Sequence, residues 1–323
     1  MNWSTPETRS VIIWIAGILL FFSITGRVLR RVLKSEKSQA TVQNLIARVR
    51  AWWVMAAVVI GSLMGGRTTT EIVFGLISFL ALREFITATP TRRADHHALF
   101  LAFFVALPYQ YFLVHTGWYG MFLILIPVYA FVILPCLSVV RGDTQDFLAR
   151  TARTQWGLMV CVYFISHIPM LLQLPFPHLP LGNAGLVLFL VVVTQGSDVL
   201  QYLWGKLCGK RKIAPTLSPG KTWEGFIGGV LSASLLGASL HWLTPCRPWE
   251  AFIVALMLCA LGFLGGLIMS AIKRERGIKD WGTLIEGHGG ILDRIDSLCF
   301  STPLYFHIMS YCFGSGSGWN AGG

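Results

Sequence analysis

The chain has 323 residues, 54% of them hydrophobic and 13% charged, with a mean hydropathy of +0.62 and a net charge of +11. Soluble domains are about 45–50% apolar and about 25% charged, so this chain carries half the charge that would solvate a globule of its size. A water-soluble enzyme, a disordered chain and a disulfide-stapled secreted domain are excluded, and a polytopic membrane protein remains.

A helix needs about 20 mostly apolar residues to span a bilayer. Ten runs meet or approach that length, at 10–26, 51–66, 69–88, 97–114, 119–140, 156–174, 184–204, 222–243, 251–272 and 291–313. Several are short or charged near one end, so nine spans is the alternative count. The alternating ten-residue segments of an outer-membrane barrel are missing, and the expected fold class is all-α. The first run has no basic region before it and no small-residue cleavage site, which predicts a retained span.

Cytoplasmic loops retain the excess of Lys and Arg. With ten spans, all but Arg9, Arg67, Arg83 and Arg247 of the 26 basic residues fall on one side. This predicts outward-facing termini; as location, a bacterial inner membrane is expected rather than the endoplasmic reticulum. The positive charge is then topological and attracts anionic headgroups; nucleic acid is not an expected partner.

Residues 1–155 read as apolar hairpins with short connections and no polar cluster. The stretches Ala40–Trp53 and Gln145–Arg153 mix Arg with apolar residues, as interfacial helices do, or are simply cytoplasmic helix ends. A soft boundary is expected near 150–156. The seven Cys show no Cys-x-x-Cys spacing and suit core packing, and nothing in the spacing supports a Cys246–Cys312 bridge. Residues 314–323 read as a flexible Gly/Ser tail.

From about residue 190 onward, polar residues gather at the cytoplasmic helix ends in three clusters. The first surrounds Asp198, a carboxylate inside an apolar run, where ionisable groups usually face a cavity or a partner. Its structural alternative is an ion pair with the adjoining basic loop. The second runs from Lys206 through Lys210, Arg211 and Lys212 to Ser218, Pro219, Gly220, Lys221, Thr222 and Glu224. Gly220-Lys221-Thr222 invites a P-loop reading, but Pro215 stands where the first Gly is needed and no strand is expected before it. Ser218 suits a helix N-cap with Pro219 at the first position, which would present free N–H groups and Lys221 to an anion. A well-capped helix whose Lys marks the membrane boundary is the plainer alternative.

The third cluster packs Ser270, Lys273, Arg274, Lys279, Asp280, Glu286, His288, Gly289, Gly290, Asp293, Arg294 and Asp296 into 27 residues. Asp293 and Asp296 are three apart and share a helix face. Their oxygens, with substrate phosphates, suit Mg²⁺. Gly287, Gly289 and Gly290 let the backbone approach a ligand, and Lys273, Arg274 and Lys279 offer charge to phosphate oxygens. A metal-assisted polyphosphate site is the reading, against a loop held by ion pairs.

This cluster resembles the signature of the CDP-diacylglycerol synthases, or phosphatidate cytidylyltransferases: S-x-hydrophobic-K-R, four residues, K-D, a spacer, then H-G-G-hydrophobic-x-D-R-hydrophobic-D. Every fixed position is present from Ser270 to Asp296. Residues 217–229 resemble that family's S-P-x-K-T-x-E-G segment, so the likeness covers roughly 194–297. Glu286, where the family has a small residue or Pro, and Leu200 and Gln201, where many members have Gly and Ala, depart from it and put the lipid in question.

The resemblance implies a catalytic transmembrane domain over 156–313, with its site facing the cytoplasm. It implies transfer of a cytidylyl group from CTP to phosphatidate in phospholipid biosynthesis, giving CDP-diacylglycerol and pyrophosphate. On this basis Lys221, Lys273, Arg274, Lys279, Asp280 and His288 are expected to be catalytic. Ser218, Lys221, Gly289, Gly290 and Arg294 are expected to bind nucleotide and phosphate. Asp293, Asp296 and Asp198 are expected to hold Mg²⁺ or another divalent cation, with room for a monovalent one. His288 is read as a hydrogen-bond donor to phosphate. Membrane lipids are expected neighbours and a homodimer is favoured. The alternatives are a CTP-dependent enzyme acting on another lipid phosphate, a CTP-dependent lipid kinase and, outside enzymes, a transporter, which would carry mid-membrane polar residues and often a repeat.

Overall fold

A computed structural model describes residues 6–32, 36–140, 142–176, 178–282 and 289–314. Among the described residues the chain folds into ten helices and one short hairpin. The helices are α1 (Pro6–Val32), α2 (Glu36–Met64), α3 (Arg67–Thr87), α4 (Arg93–Thr116), α5 (Tyr119–Val139) and α6 (Phe147–Gln173). They continue with α7 (Ala184–Leu207), α8 (Trp223–Ser239), α9 (Pro248–Glu275) and α10 (Leu292–Ile308). Between α7 and α8, strand β1 (Lys212–Ala214) pairs antiparallel with β2 (Ser218–Thr222).

The apolar runs dictate this pattern, because in lipid every backbone group must be bonded within its own helix. Six helices, α1, α4, α5, α6, α7 and α9, are long and apolar enough to cross a bilayer unaided. Helix α2 contributes the shorter apolar stretch Val49–Met64, and α3 carries Arg67, Glu71, Arg83 and Glu84. At 17 residues, α8 reaches about 25 Å, short of a hydrocarbon core of about 30 Å, whereas α10 runs on through a π-helical stretch, Met309–Phe313. Helices α4, α5 and α6 each pass through a π-helical stretch, at Ala102–Ala106, Leu125–Ala130 and Met159–Phe164. In α5 that stretch contains Pro127, which cannot donate a helical hydrogen bond.

One buried apolar cluster extends from Leu63 to Met309, with Phe85, Phe122, Phe189, Tyr305 and Phe306 almost fully enclosed. Helices α7 to α10 pack as successive neighbours. They approach closely because glycine faces the contact: a β-carbon on Gly229 would come within 2.5 Å of the Gln201 Cα, and one on Gly265 within 2.5 Å of the Phe300 ring. Helix α3 leans on both α6 and α10 and ties the amino-terminal helices to this group.

Several expectations change in detail. The boundary near 150–156 falls inside α6, which is unbroken from Phe147 to Gln173. Residues 147–153 form its first turns, and Arg150 there is buried against Asp95 at 3.3 Å and Asp143 at 2.7 Å. Ala40–Trp53 lies within α2. All seven Cys are free thiols. Residues 315–323 of the tail lie outside the described residues.

Candidate active site

The hairpin corrects the expected start of α8. Ser218 does not cap a helix; its backbone pairs with Ala214 in the ladder. Thr222 is the N-cap, its Oγ1 accepting the Gly225 N–H at 3.1 Å. A strand is therefore present, but it contains Gly220-Lys221-Thr222 rather than preceding a glycine-rich phosphate loop, so the P-loop reading still fails. Glu224, in the first turn of α8, accepts the N–H groups of Lys210 at 3.0 Å and Arg211 at 3.2 Å. It folds the basic segment back onto the helix start.

Along β2 Pro219 and Gly220 are exposed, while Lys221 is half-buried and Thr222 buried. Its Nζ donates to the Phe263 carbonyl at 3.3 Å and lies 4.3 Å from the centre of the Phe263 ring. Burial draws this ammonium below the ordinary lysine range, and the carboxylates of Asp198 and Asp296 pull it back up.

Asp198 on α7 is exposed although it sits in the middle of a helix group, and Asp296 on α10 is half-buried. Ser297 links them: its Oγ donates to Asp198 Oδ2 at 2.7 Å and its N–H to Asp296 Oδ1 at 2.8 Å. The other oxygen of each carboxylate has no hydrogen-bond partner among the described residues. Lys221 and Lys273 are within electrostatic reach of this pair, and a β-carbon on Gly266 would lie 3.0 Å from Lys221 Nζ and 4.0 Å from Asp296 Oδ2.

Asp293, one turn before Asp296, is engaged differently. Its Oδ1 accepts from Lys273 Nζ at 2.7 Å. Its Oδ2 accepts the N–H of Trp281 at 2.7 Å and of Gly290 at 3.0 Å. Gly289 has φ +81°, and a β-carbon there would sit 2.6 Å from Asp293 Oδ2 and 3.1 Å from the Asp280 Cβ. Arg274 donates to the Leu217 carbonyl at 3.3 Å and the Ile278 carbonyl at 3.2 Å, joining the hairpin to the turn after α9. Lys279 and Asp280 are exposed. The Arg294 carbonyl accepts from Gln195 at 3.0 Å. His288 and Glu286 lie outside the described residues.

The structure thus gathers Asp198, Lys221, Lys273, Asp293 and Asp296 into one charged cluster between α7, the hairpin, α9 and α10. Lys279 and Asp280 stand at its rim, and Ser218 lies at the start of β2. Among the described residues no group of three or more His, Cys, Asp and Glu is arranged to hold a metal. Two carboxylates, each with an unused oxygen, still fit Mg²⁺, which commonly takes one or two carboxylates and completes its shell with water and substrate phosphates. Ser297, Phe263 and Glu84 are missed by the sequence reading. For Glu84 a signal existed, since the rarity of an ionised group in an apolar helix applies to it as it does to Asp198.

The model of the cytidylyltransferase family matches residues 46–312. Uncharacterized protein YnbB of Escherichia coli strain K12 is 42% identical over 268 residues, covering 82% of this chain and 87% of that protein. A phosphatidate cytidylyltransferase of Haemophilus influenzae is 38% identical over 151 residues, 45% of this chain and 52% of that enzyme. One of Pseudomonas aeruginosa is 42% identical over 134 residues, 40% of this chain and 49% of that enzyme. The similarity therefore spans about half the length of each of these two enzymes.

Proposed function

The chain belongs to the cytidylyltransferase family, and on that premise we propose that it transfers the cytidylyl group of CTP to phosphatidate, leaving CDP-diacylglycerol in the membrane and releasing pyrophosphate. The observation that carries this reading is the meeting of Asp198 and Asp296 with Lys221 between α7, β2 and α10. A purely cationic site would bind anions of any kind. Two carboxylates with unused oxygens beside an ammonium suit a cation and phosphates together.

In the transfer, a phosphatidate oxygen attacks the α-phosphorus of CTP, and the bond to the bridging oxygen of the β-phosphate breaks. An ionised phosphate monoester is already a nucleophile, so no side chain has to remove a proton. The work of the chain is to bring two anions together and to hold them in line. Lys221 and Lys279 hold phosphate oxygens, the backbone at Gly289 and Gly290 and the strand at Ser218 shape the nucleotide site, and His288 donates to phosphate. Lys273 and Arg274 act mainly by fixing the loop and the hairpin, and Asp280 orients the turn against Gly289. Asp198 and Asp296 would hold a divalent cation, Mg²⁺ or another, which when bound screens phosphate charge and stabilises the leaving pyrophosphate. Asp293 is assigned to anchoring the loop rather than to metal, because both of its oxygens are occupied. The one-sided basic loops support a cytoplasmic face for the site, and the bacterial relatives support a bacterial inner membrane.

The test is to supply the detergent-purified chain with CTP, phosphatidate and Mg²⁺ and to quantify pyrophosphate and lipid product together. Equal amounts of pyrophosphate and CDP-diacylglycerol, both lost with chelator, are expected. Release of CDP with a phosphorylated lipid would replace the proposal with a kinase.

A further inference from the structure

Helix α3 lies in the amino-terminal half, where the sequence shows no motif, yet it sends two consecutive side chains to the loop between α9 and α10. Glu84 Oε1 accepts the N–H of Ile291 at 3.0 Å, and Oε2 accepts that of Leu292 at 2.9 Å. These belong to the first amides of α10, donors that a helix cannot satisfy internally. The N-cap residue of α10 is Ile291, whose side chain provides no capping bond. The cap comes instead from a residue 207 positions away in sequence. A carboxylate is the group the positive end of the helix dipole favours.

The same carboxylate is enclosed by the loop it caps. A β-carbon on Gly282 would sit 2.9 Å from Glu84 Oε1, and one on Gly290 would overlap the carboxylate. Chain entering and chain leaving the loop therefore both press on Glu84, and only glycine allows that approach. The next residue, Phe85, is 1% exposed and stacks on Trp281 with ring centres 5.1 Å apart. The N–H of Trp281 is in turn held by Asp293. The loop is gripped by α3 on one side and by α10 on the other.

We propose that Glu84 is a positioning residue for the cytidylyl transfer: by capping α10 and clasping both ends of the loop, it sets where Asp293 and Asp296 stand relative to Asp198 and Lys221. This rests on the function proposed above. Glu84 acts through α10 and not on substrate, and it gives the amino-terminal helices a part in building the site.

The variant Glu84→Gln keeps the shape of the side chain but offers a single acceptor to two amides. The control is Glu71→Gln on the same helix, where a buried carboxylate contacts Arg67 at 2.8 Å and His115 at 2.7 Å, about 20 Å along the axis from Glu84. For each variant, kcat, KM for CTP, the thermal midpoint in detergent and amide hydrogen exchange over residues 289–299 are measured. Glu84→Gln should lower kcat by about 10- to 100-fold, shift KM by less than about threefold, and accelerate exchange at Ile291 and Leu292. Glu84→Asp, a carboxylate on a shorter stem, should recover part of kcat. Glu71→Gln should lower the midpoint while kcat of the folded protein is unchanged. The proposal is overturned if kcat of Glu84→Gln stays within about twofold of wild type, if it falls no further than that of Glu71→Gln, or if exchange at the start of α10 is unaltered. Should the wild-type chain make no CDP-lipid, the proposed function fails. The exchange data then decide the cap alone: acceleration confined to that segment keeps it, and none removes it.

Discussion

Replacing Asp293 by Asn separates an anchor from a metal ligand. The carboxylate divides its work, with Oδ1 on Lys273 and Oδ2 on the amides of Trp281 and Gly290. Asn has one acceptor oxygen, so either the lysine or the two amides must face an NH₂ group. The Lys273 side chain is only 12% exposed. Removing one partner of so enclosed a pair costs about 3–5 kcal/mol, and turning buried amides away from an acceptor costs about 1–3 kcal/mol. Asn can satisfy one of the two needs, so a net loss of about 3 kcal/mol is expected. Displacing the loop by about 1 Å should cost about 100-fold in turnover. The assay is a Mg²⁺ titration of cytidylyl transfer in detergent, alongside the thermal midpoint. The midpoint and the rate should both fall while the Mg²⁺ concentration at half-maximal rate stays as in wild type, because Asp198 and Asp296 are untouched. Adding Lys273→Met should cost less than its effect alone, since the pair is already broken. A rate within about twofold of wild type, or a rise in the Mg²⁺ requirement matching the loss of rate, would refute the reasoning.

The metal role proposed for Asp198 and Asp296 predicts the opposite signature. Asp296→Asn and Asp198→Asn should each lower turnover by about 100- to 1,000-fold, as loss of one electrostatic stabiliser does, and raise the Mg²⁺ requirement; an unchanged requirement in both removes them as ligands. Lys221 predicts an alkaline limit. Burial lowers its pKa, so the ammonium that meets phosphate is present at neutral pH and is lost as pH rises through the lowered value, bringing kcat/KM down earlier than an ordinary lysine would. Lys221→Arg, whose guanidinium keeps its charge throughout the working pH range, should move that limb out of range, and a limb that stays in place would show that another group titrates. Arg150→Ala should destabilise the fold by about 3 kcal/mol, the cost of leaving buried Asp95 unpaired, with the rate per folded molecule unchanged. The Arg150 hydrogen bond holds the Asp143 carboxyl below its ordinary range. Its contribution is therefore present above the usual carboxylate pKa and is lost as pH falls through the lowered one. A wild-type-like midpoint across that acid range would contradict the role given to Arg150.

The helices and most of the charged cluster were legible because each depends on local pattern. Apolar runs long enough to be helices announce themselves in lipid, and Ser270–Asp296 is so dense in charge that its grouping could be read directly. What failed depended on pairing across the chain. Ser218-Pro219 is a good helix start on local grounds, but pairing of β2 with β1 claims Ser218 and moves the cap to Thr222. Asp293 and Asp296 do share one helix, as their spacing implies, yet Lys273 and two loop amides occupy both oxygens of Asp293. Glu84 reaches Ile291 across 207 positions, a separation no sequence pattern encodes; its rarity within an apolar helix was the one clue. The charges on α3, likewise, are what remove it from the helices that would cross a membrane unaided.

The most direct measurement is the fate of labelled phosphorus in wild-type and Asp296→Asn membranes given CTP and phosphatidate. Label at the α-phosphorus should enter the lipid extract with wild type and stay in the aqueous phase with the variant, while label at the γ-phosphorus should leave as pyrophosphate. Label from the γ-phosphorus in lipid, or equal lipid labelling by the two proteins, would contradict cytidylyl transfer at this site.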